Sequence, residues 1–292
     1  MSHSLLSQLS VSVSLLRRWR RRWAYGLLSL LVALGLVVAT PTPTPAQASI
    51  FELLLRGVQI IQLSTLSDQQ EVAIGKQIND QLLSSEMKLY NNATVTAYVN
   101  QIGQGLVPYS DRPDIPYTFQ VVDNDQINAF ATMGGYVYVT TGLLKAADNE
   151  AQLASVVGHE IGHIAAKHAL EQMRELAVAQ GVASVAGLDR NTAVNLGVEL
   201  ALRRPNSRRD EFEADQKGLA TLTAAGYAPS AMPTFMEKLR SRAAVPEFLS
   251  THPAVSDRIR ILNQSIDPAT ANSGTGLDSA SYRSQIRSLL GS

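Results

Sequence analysis

Across residues 149–178 the apolar positions fall at Leu153, Val156, Val157, Ile161, Ile164, Ala165 and Leu170. That spacing predicts one long helix buried on most of its sides. Upstream, residues 67–106 read as two helices, the first opening at Ser67 with Gln70 in the capping-box position. Pro108 to Pro116 is a turn-rich connection. Tyr117–Asp123 alternates and is rich in β-branched residues, which predicts a strand, and Gly135–Thr141 predicts a second strand after a Gly-Gly turn. Helices follow over 208–225, 229–243 and 253–264. Residues 179–203 are rich in Ala, Gly and Val and read as helical, either a lid over a cleft or a plain core helix. The fold class expected is α+β, mainly helical, with a small sheet packed on the helix of 149–178. Residues 67–266 would form the domain, and the Ser-, Thr- and Gly-rich 267–292 a flexible tail.

Inside the buried helix stands His159-Glu160-Ile161-Gly162-His163, an H-E-x-x-H pattern. Residues four apart lie about 40° from eclipsed on a helix, so both imidazoles reach one metal ion. Ionisable groups turned inward are costly unless paired or bound to metal. Two histidines at this spacing suit Zn²⁺, and the intervening glutamate can act on a water at the same ion. A second signal is Ser207 to Asp215, where Glu211 and Asp215 are four apart on one helix face. A two-histidine zinc site needs a third protein ligand, and its histidines usually donate their other ring N–H to a carboxylate. The pair can supply one group for each task. Glu213 points elsewhere and reads as a surface or packing-edge residue.

On a continuous helix His168 would lie roughly 140° from His163, off the metal face, where it would support the site or face the surface. His252 precedes Pro253 at a helix start. It can serve as a support for the ligands, an oxyanion donor, or a fourth ligand. Arg208 can donate to an oxyanion or simply pair with a nearby carboxylate. The stretch Gly134, Gly135, Tyr136, Val137, Tyr138 is a candidate substrate edge strand, with glycines that let backbone approach closely; its alternative is an ordinary hairpin edge.

Several stretches occur in order across most of residues 67–262. They are Asn128 to Val139, Thr141 to Leu144, Gly158 to His168, Ser207 to Asp215, and Thr251-His252-Pro253 with Arg258-Ile259. Together they resemble the gluzincin zinc metallopeptidases of the CAAX prenyl protease and HtpX type, most of all the soluble periplasmic BepA-like members. Met133 departs from the pattern, where such sequences more often have proline. The tetratricopeptide repeats of some relatives are not seen in these 292 residues. The resemblance implies a zincin-like fold, one Zn²⁺ held by His159, His163 and Glu211, Glu160 as catalytic base, and Asp215 bonded behind a ligand. It also implies that His252 can act as a switch that holds the enzyme closed. The function implied is a zinc-dependent endopeptidase of the cell envelope that hydrolyses unfolded or misfolded proteins. The alternative is a chaperone-like binding factor with a capped zinc site.

The chain contains no cysteine, which excludes disulfides, thiolate ligands and cysteine nucleophiles. A closed structural zinc site, which favours cysteine, is disfavoured for the same reason. Hydrophobic content of 45% is enough for a sizeable core. The 25 basic residues include five arginines in the first 48 positions, leaving 20 against 25 acidic residues. No basic face suggests nucleic acid as a partner; polypeptides are the expected partners. The basic cluster Arg17–Arg22, the apolar run 24–39 and Ala46-Gln47-Ala48 read as a signal peptide over 1–48. At about 24 Å as a helix, the run is short of a bilayer core of roughly 30 Å, although it can also act as an uncleaved anchor. Residues 49–66 read as an apolar helix that packs on the core or on a membrane surface. An exported, periplasmic or otherwise extracytoplasmic protein follows.

Overall fold

The computed structural model describes residues 60–61, 63–180, 188–203 and 205–290. The expected signal segment and anchor lie outside them. Strand β1 (Ile60–Ile61) begins the described chain and pairs antiparallel with β5 (Leu188–Asp189). The expected helix over 49–66 is therefore replaced, in its described part, by a strand at two β-branched residues and a 3₁₀ turn at Leu63–Thr65.

Helix α1 (Asp68–Ser85) opens with the predicted capping box: the Gln70 N–H donates to Ser67 Oγ, and the Ser67 N–H donates to Gln70 Oε1. Helix α2 (Ala93–Leu106) is capped by Asn92. Strands β2 (Thr118–Val122), β3 (Ala129–Thr132) and β4 (Tyr136–Thr140) form a sheet of order β2-β4-β3. β4 pairs parallel with β2 and antiparallel with β3. Side chains alternate across it: Val137 and Val139 join the cluster around α2, and Tyr138 joins the cluster around α1.

The sheet topology corrects the edge-strand expectation. Tyr136, Val137 and Tyr138 lie in the central strand, with both sides already paired, so β4 cannot accept another strand. The strand facing the cleft is β3, which sequence reading passed over because Ala129-Phe130-Ala131-Thr132 is short and half of it is alanine. Gly134 and Gly135, the last two residues of the three-residue turn between β3 and β4, take φ of 78° and 93°, a region that favours glycine. A side chain on Gly135 would meet the Pro116 carbonyl oxygen at 2.0 Å. Their close approach is thus to the chain's own backbone and not to a substrate.

After the short α3 (Thr141–Ala146) comes α4 (Glu150–Ala165), capped by Asn149 and buried from Ala151 to Ile164. The single long helix expected over 149–178 is broken: Lys167 adopts φ 59°, and α5 (His168–Ala179) starts anew. The break is held from afar. Arg112 Nη1 donates to the Ile164 carbonyl at 3.2 Å, and Lys167 Nζ reaches Asp68 at 2.8 Å. Those contacts offset the cost of a left-handed lysine, of order 1–3 kcal/mol.

Helix α6 (Arg190–Arg203) packs against α1 and α5, burying Leu196, Val198 and Leu200, as the core-helix alternative requires. Its C-terminal part also lines the cleft. Helix α7 (Arg208–Ala224) crosses α4 at very short range. An added Cβ at Gly162 would lie 2.6 Å from the Ala214 carbonyl, and one at Gly218 would lie 2.9 Å from His159 Cα. Helices α8 (Ala231–Arg240), α9 (Glu247–Thr251) and α10 (Val255–Ser265) complete the wall.

The segment expected as a flexible tail is packed. Helix α11 (Ser279–Gln285) and α12 (Arg287–Leu290) bury Tyr282, Ile286 and Leu289, an i, i+4, i+7 stripe set in polar composition. The Tyr282 hydroxyl donates to the Leu144 carbonyl at 2.7 Å.

The α4–α7 contact yields a testable expectation. Gly162→Ala should destabilise the fold by about 1–3 kcal/mol, because backbone on both sides must move. Urea unfolding of the variant beside the parent measures this.

Candidate active site

Helix α4 sets His159, Glu160 and His163 on its inner side, and α7 brings Glu211 and Asp215 against them. All five are buried. His252 enters from the turn between α9 and α10, and its ring packs on Phe248 at 4.5 Å between centroids. His159 Nε2, His163 Nε2, His252 Nδ1 and Glu211 converge on one point. Neighbouring donor atoms are separated by 3.1 Å (His159–His163), 3.3 Å (His159–His252) and 3.0 Å (His252–Glu211). The His163–Glu211 and His159–Glu211 pairs stand at 3.3 and 3.4 Å. A tetrahedral ion with ligands at 2.0–2.1 Å places its donors about 3.3 Å apart, so the cluster has the dimensions of a metal site.

The outer bonds orient these rings. His159 Nδ1–H donates to Asp215 Oδ1 at 2.9 Å, which turns the lone pair of Nε2 inward. His163 Nδ1 faces His168 Nδ1 at 2.9 Å, which turns Nε2 of that ring inward as well. His168 can reach this position because α5 restarts after Lys167. Its Nε2 lies 3.6 Å from Glu213, so Glu213 sits near the support of the site and not only at the surface.

Charge gives the same answer. Glu160, Glu211 and Asp215 are buried with one guanidinium, Arg258, itself 1% exposed. Arg258 donates through Nε and Nη2 to both oxygens of Asp215 at 2.7 Å, bonds Glu211 through Nη1, and holds the His252 carbonyl at 3.2 Å. With neutral histidines, two negative charges remain, a fit for a divalent cation. Burial opposes ionisation of Glu211 and Asp215, yet facing cations and hydrogen bonds hold both below the usual carboxylate range. Burial pushes Glu160 upward, and its Oε1 has no hydrogen-bond partner. Burial likewise drives His163 down to about 3. In His159, burial and the Arg258 charge are outweighed by Asp215 and Glu211, raising it to about 9.

Residues 93–266 match the profile of Peptidase family M48. That match takes in α4, α7 and the His252 turn. The chain belongs to Peptidase family M48. It is 36% identical over 217 residues to the beta-barrel assembly-enhancing protease of Escherichia coli (strain K12), covering 67% of this chain and 44% of that protein. It is 38% identical over 155 residues to the mitochondrial metalloendopeptidase OMA1 of Arabidopsis thaliana, covering 51% of this chain and 32% of the relative. The chain thus spans less than half the length of either. The metalloendopeptidase class expected from the sequence is the class these M48 relatives carry.

Arg208 takes the second of its two expected roles, pairing with a carboxylate and not reaching the cluster. Its side chain is 67% exposed and pairs with Asp257 at 2.6 Å, on the surface and away from the cluster. The arginine buried at the cluster is Arg258, six residues after His252. A lone charge among Ile259 and Leu262 on the apolar side of α10 was the available signal. Asn206, whose amide reaches both His163 and His252, was also missed, because an Asn before a helix reads simply as a loop residue.

Removing Arg258 takes away the guanidinium that bonds both Glu211 and Asp215. Arg258→Met should cost about 3–5 kcal/mol in the metal-free protein, measured by urea unfolding. Divalent metal must also displace the proton that His159 holds below about 9. Apparent affinity should therefore rise roughly tenfold per pH unit from 7 towards 9 and then level. Calorimetry in buffers of different ionisation enthalpy should count about one proton released at pH 7.

Proposed function

We propose that this M48 chain is a zinc-dependent endopeptidase of the cell envelope, held latent by His252 and acting on unfolded or misfolded polypeptides. The single observation that carries the reading is the four-donor cluster with Glu160 beside it, whose Oε1 accepts no hydrogen bond. Three nitrogens and one carboxylate oxygen in tetrahedral spacing suit zinc. A zinc ion there supplies Lewis acidity, polarising a scissile carbonyl and making water available as a nucleophile near neutral pH.

Glu160 accepts a proton from water as the water oxygen attacks the carbonyl carbon. It then delivers that proton to the amine nitrogen as the C–N bond breaks, giving a carboxylate and an amine. Its raised pKa suits both halves of the exchange.

His252 stands in the way. Its Nδ1 fills the fourth corner of the cluster, and its Nε2 lies 3.5 Å from Glu160 Oε1 and 3.4 Å from the Ala129 carbonyl. The Thr140 N–H donates to Asn128, so pairing with β4 uses Asn128 and Phe130 and leaves the N–H and C=O of Ala129 and Ala131 facing the cleft. An extended peptide would add to those groups, reading backbone more than side chains, as befits unfolded substrates. The Phe248 N–H already occupies the Ile127 carbonyl at 3.0 Å. One segment thus covers both the water position and part of the strand edge.

The name of the beta-barrel assembly-enhancing protease supports an envelope setting, as does the leader read from residues 1–48. Among the described residues no helix is long and apolar enough to cross a membrane. The capped geometry also favours a second reading, a binding factor that holds envelope proteins with little turnover.

Zinc content and casein cleavage, measured on the purified chain, test the proposal. Glu160→Gln should keep one zinc per chain and lose activity by about 10²–10⁴-fold. His252→Ala should raise basal cleavage. Zinc without cleavage in every variant would leave the binding factor standing and remove the peptidase.

A further inference from the structure

Asn206 precedes the Ser207 cap of α7 and is gripped on three sides. Its backbone N–H donates to the Thr251 carbonyl at 3.0 Å. Its Oδ1 accepts from Gln172 Nε2 on α5 at 2.7 Å. Its Nδ2 lies 3.2 Å from His252 Nδ1 and 3.4 Å from His163 Nε2. The amide thus presents its NH₂ group to the two ring nitrogens and its oxygen to Gln172. An NH₂ group has no lone pair to offer a metal. It can only donate, and here it is aimed at the corner that His252 fills.

We propose that Asn206 is the oxyanion donor of this site: once His252 withdraws, its carboxamide N–H bonds the scissile carbonyl oxygen as negative charge develops. The inference rests on the endopeptidase reading above. Three observations carry it. Nδ2 is adjacent to the vacated corner without being a ligand. The Gln172 Nε2 donates to Asn206 Oδ1, so in this structure the Nδ2 end already faces inward. The backbone N–H of Asn206 bonds the Thr251 carbonyl next to the cap, which places the donor beside the corner that His252 fills in this structure.

Gln172 is then a positioning residue. A carboxylate at 172 cannot donate to Asn206 Oδ1. It would accept from Nδ2, flip the amide and turn an oxygen towards the developing charge.

The test uses the full chain carrying His252→Ala, with a fluorogenic peptide, zinc analysis, and calorimetry of a phosphinic peptide as a tetrahedral mimic. Asn206→Ala should lower kcat by about 10²–10³-fold with KM within about threefold and zinc unchanged. Affinity for the phosphinic peptide should fall by a comparable factor, since it imitates the charge the donor serves. Gln172→Glu should reproduce much of the loss although Asn206 is intact, whereas a purely structural role of Asn206 would not tie the defect to the amide's orientation. Unchanged kcat, a change in KM alone, or loss of zinc in Asn206→Ala would overturn the assignment while leaving the peptidase reading in place. A His252→Ala parent that binds zinc, cleaves no peptide and ignores the phosphinic peptide would overturn both.

Discussion

Burying Glu211 and Asp215 beside two histidines is the constraint on which the centre of the molecule depends. Carboxylates do not enter an apolar interior without counter-charge. Arg258 offsets one of them and a divalent cation would offset the remainder, with Glu160. Helices α4 and α7 must then approach closely enough for carboxylate and imidazole to share one ion. Gly162 and Gly218 permit this, since any side chain at either position would strike the opposite backbone. The packing of the two helices and the chemistry between them are thus one requirement.

The second consequence concerns His252. Its carbonyl is held by Arg258, its ring lies on buried Phe248, and its two nitrogens face the ligand cluster on one side and β3 on the other. A single turn therefore touches the fourth corner of the donor cluster, the Glu160 carboxylate and the edge of β3. Opening it need not disturb the ligand set, because His159, His163 and Glu211 are oriented by Asp215, His168 and Arg258 instead.

Much of this was legible in the sequence because it is local. The Ser67 capping box needs only Gln70 three residues away, and H-E-x-x-H needs only the helical repeat to set two imidazoles side by side. Glu211 and Asp215 share a face for the same reason. The break after α4 was not legible, since a left-handed Lys167 is sustained by Asp68, which lies 99 positions away. The supporting role of His168 was one of two readings open in the sequence, but its contact with His163 depends on that break. Tyr282, Ile286 and Leu289 were hidden by the polar residues around them, and their stripe acquires meaning only against the wall that contains Leu144.

The sequence by itself determined the helices, the donor types and the pairing of residues along each helix face, because these follow from a 3.6-residue repeat and from side-chain chemistry. Tertiary structure alone decided that β4 is central and β3 is the edge, that Arg258 and not Arg208 is the buried cation, and that Asn206 and His252 meet at the cluster. Strand order and side-chain convergence are set by contacts between residues tens of positions apart. No local repeat encodes which distant partner wins.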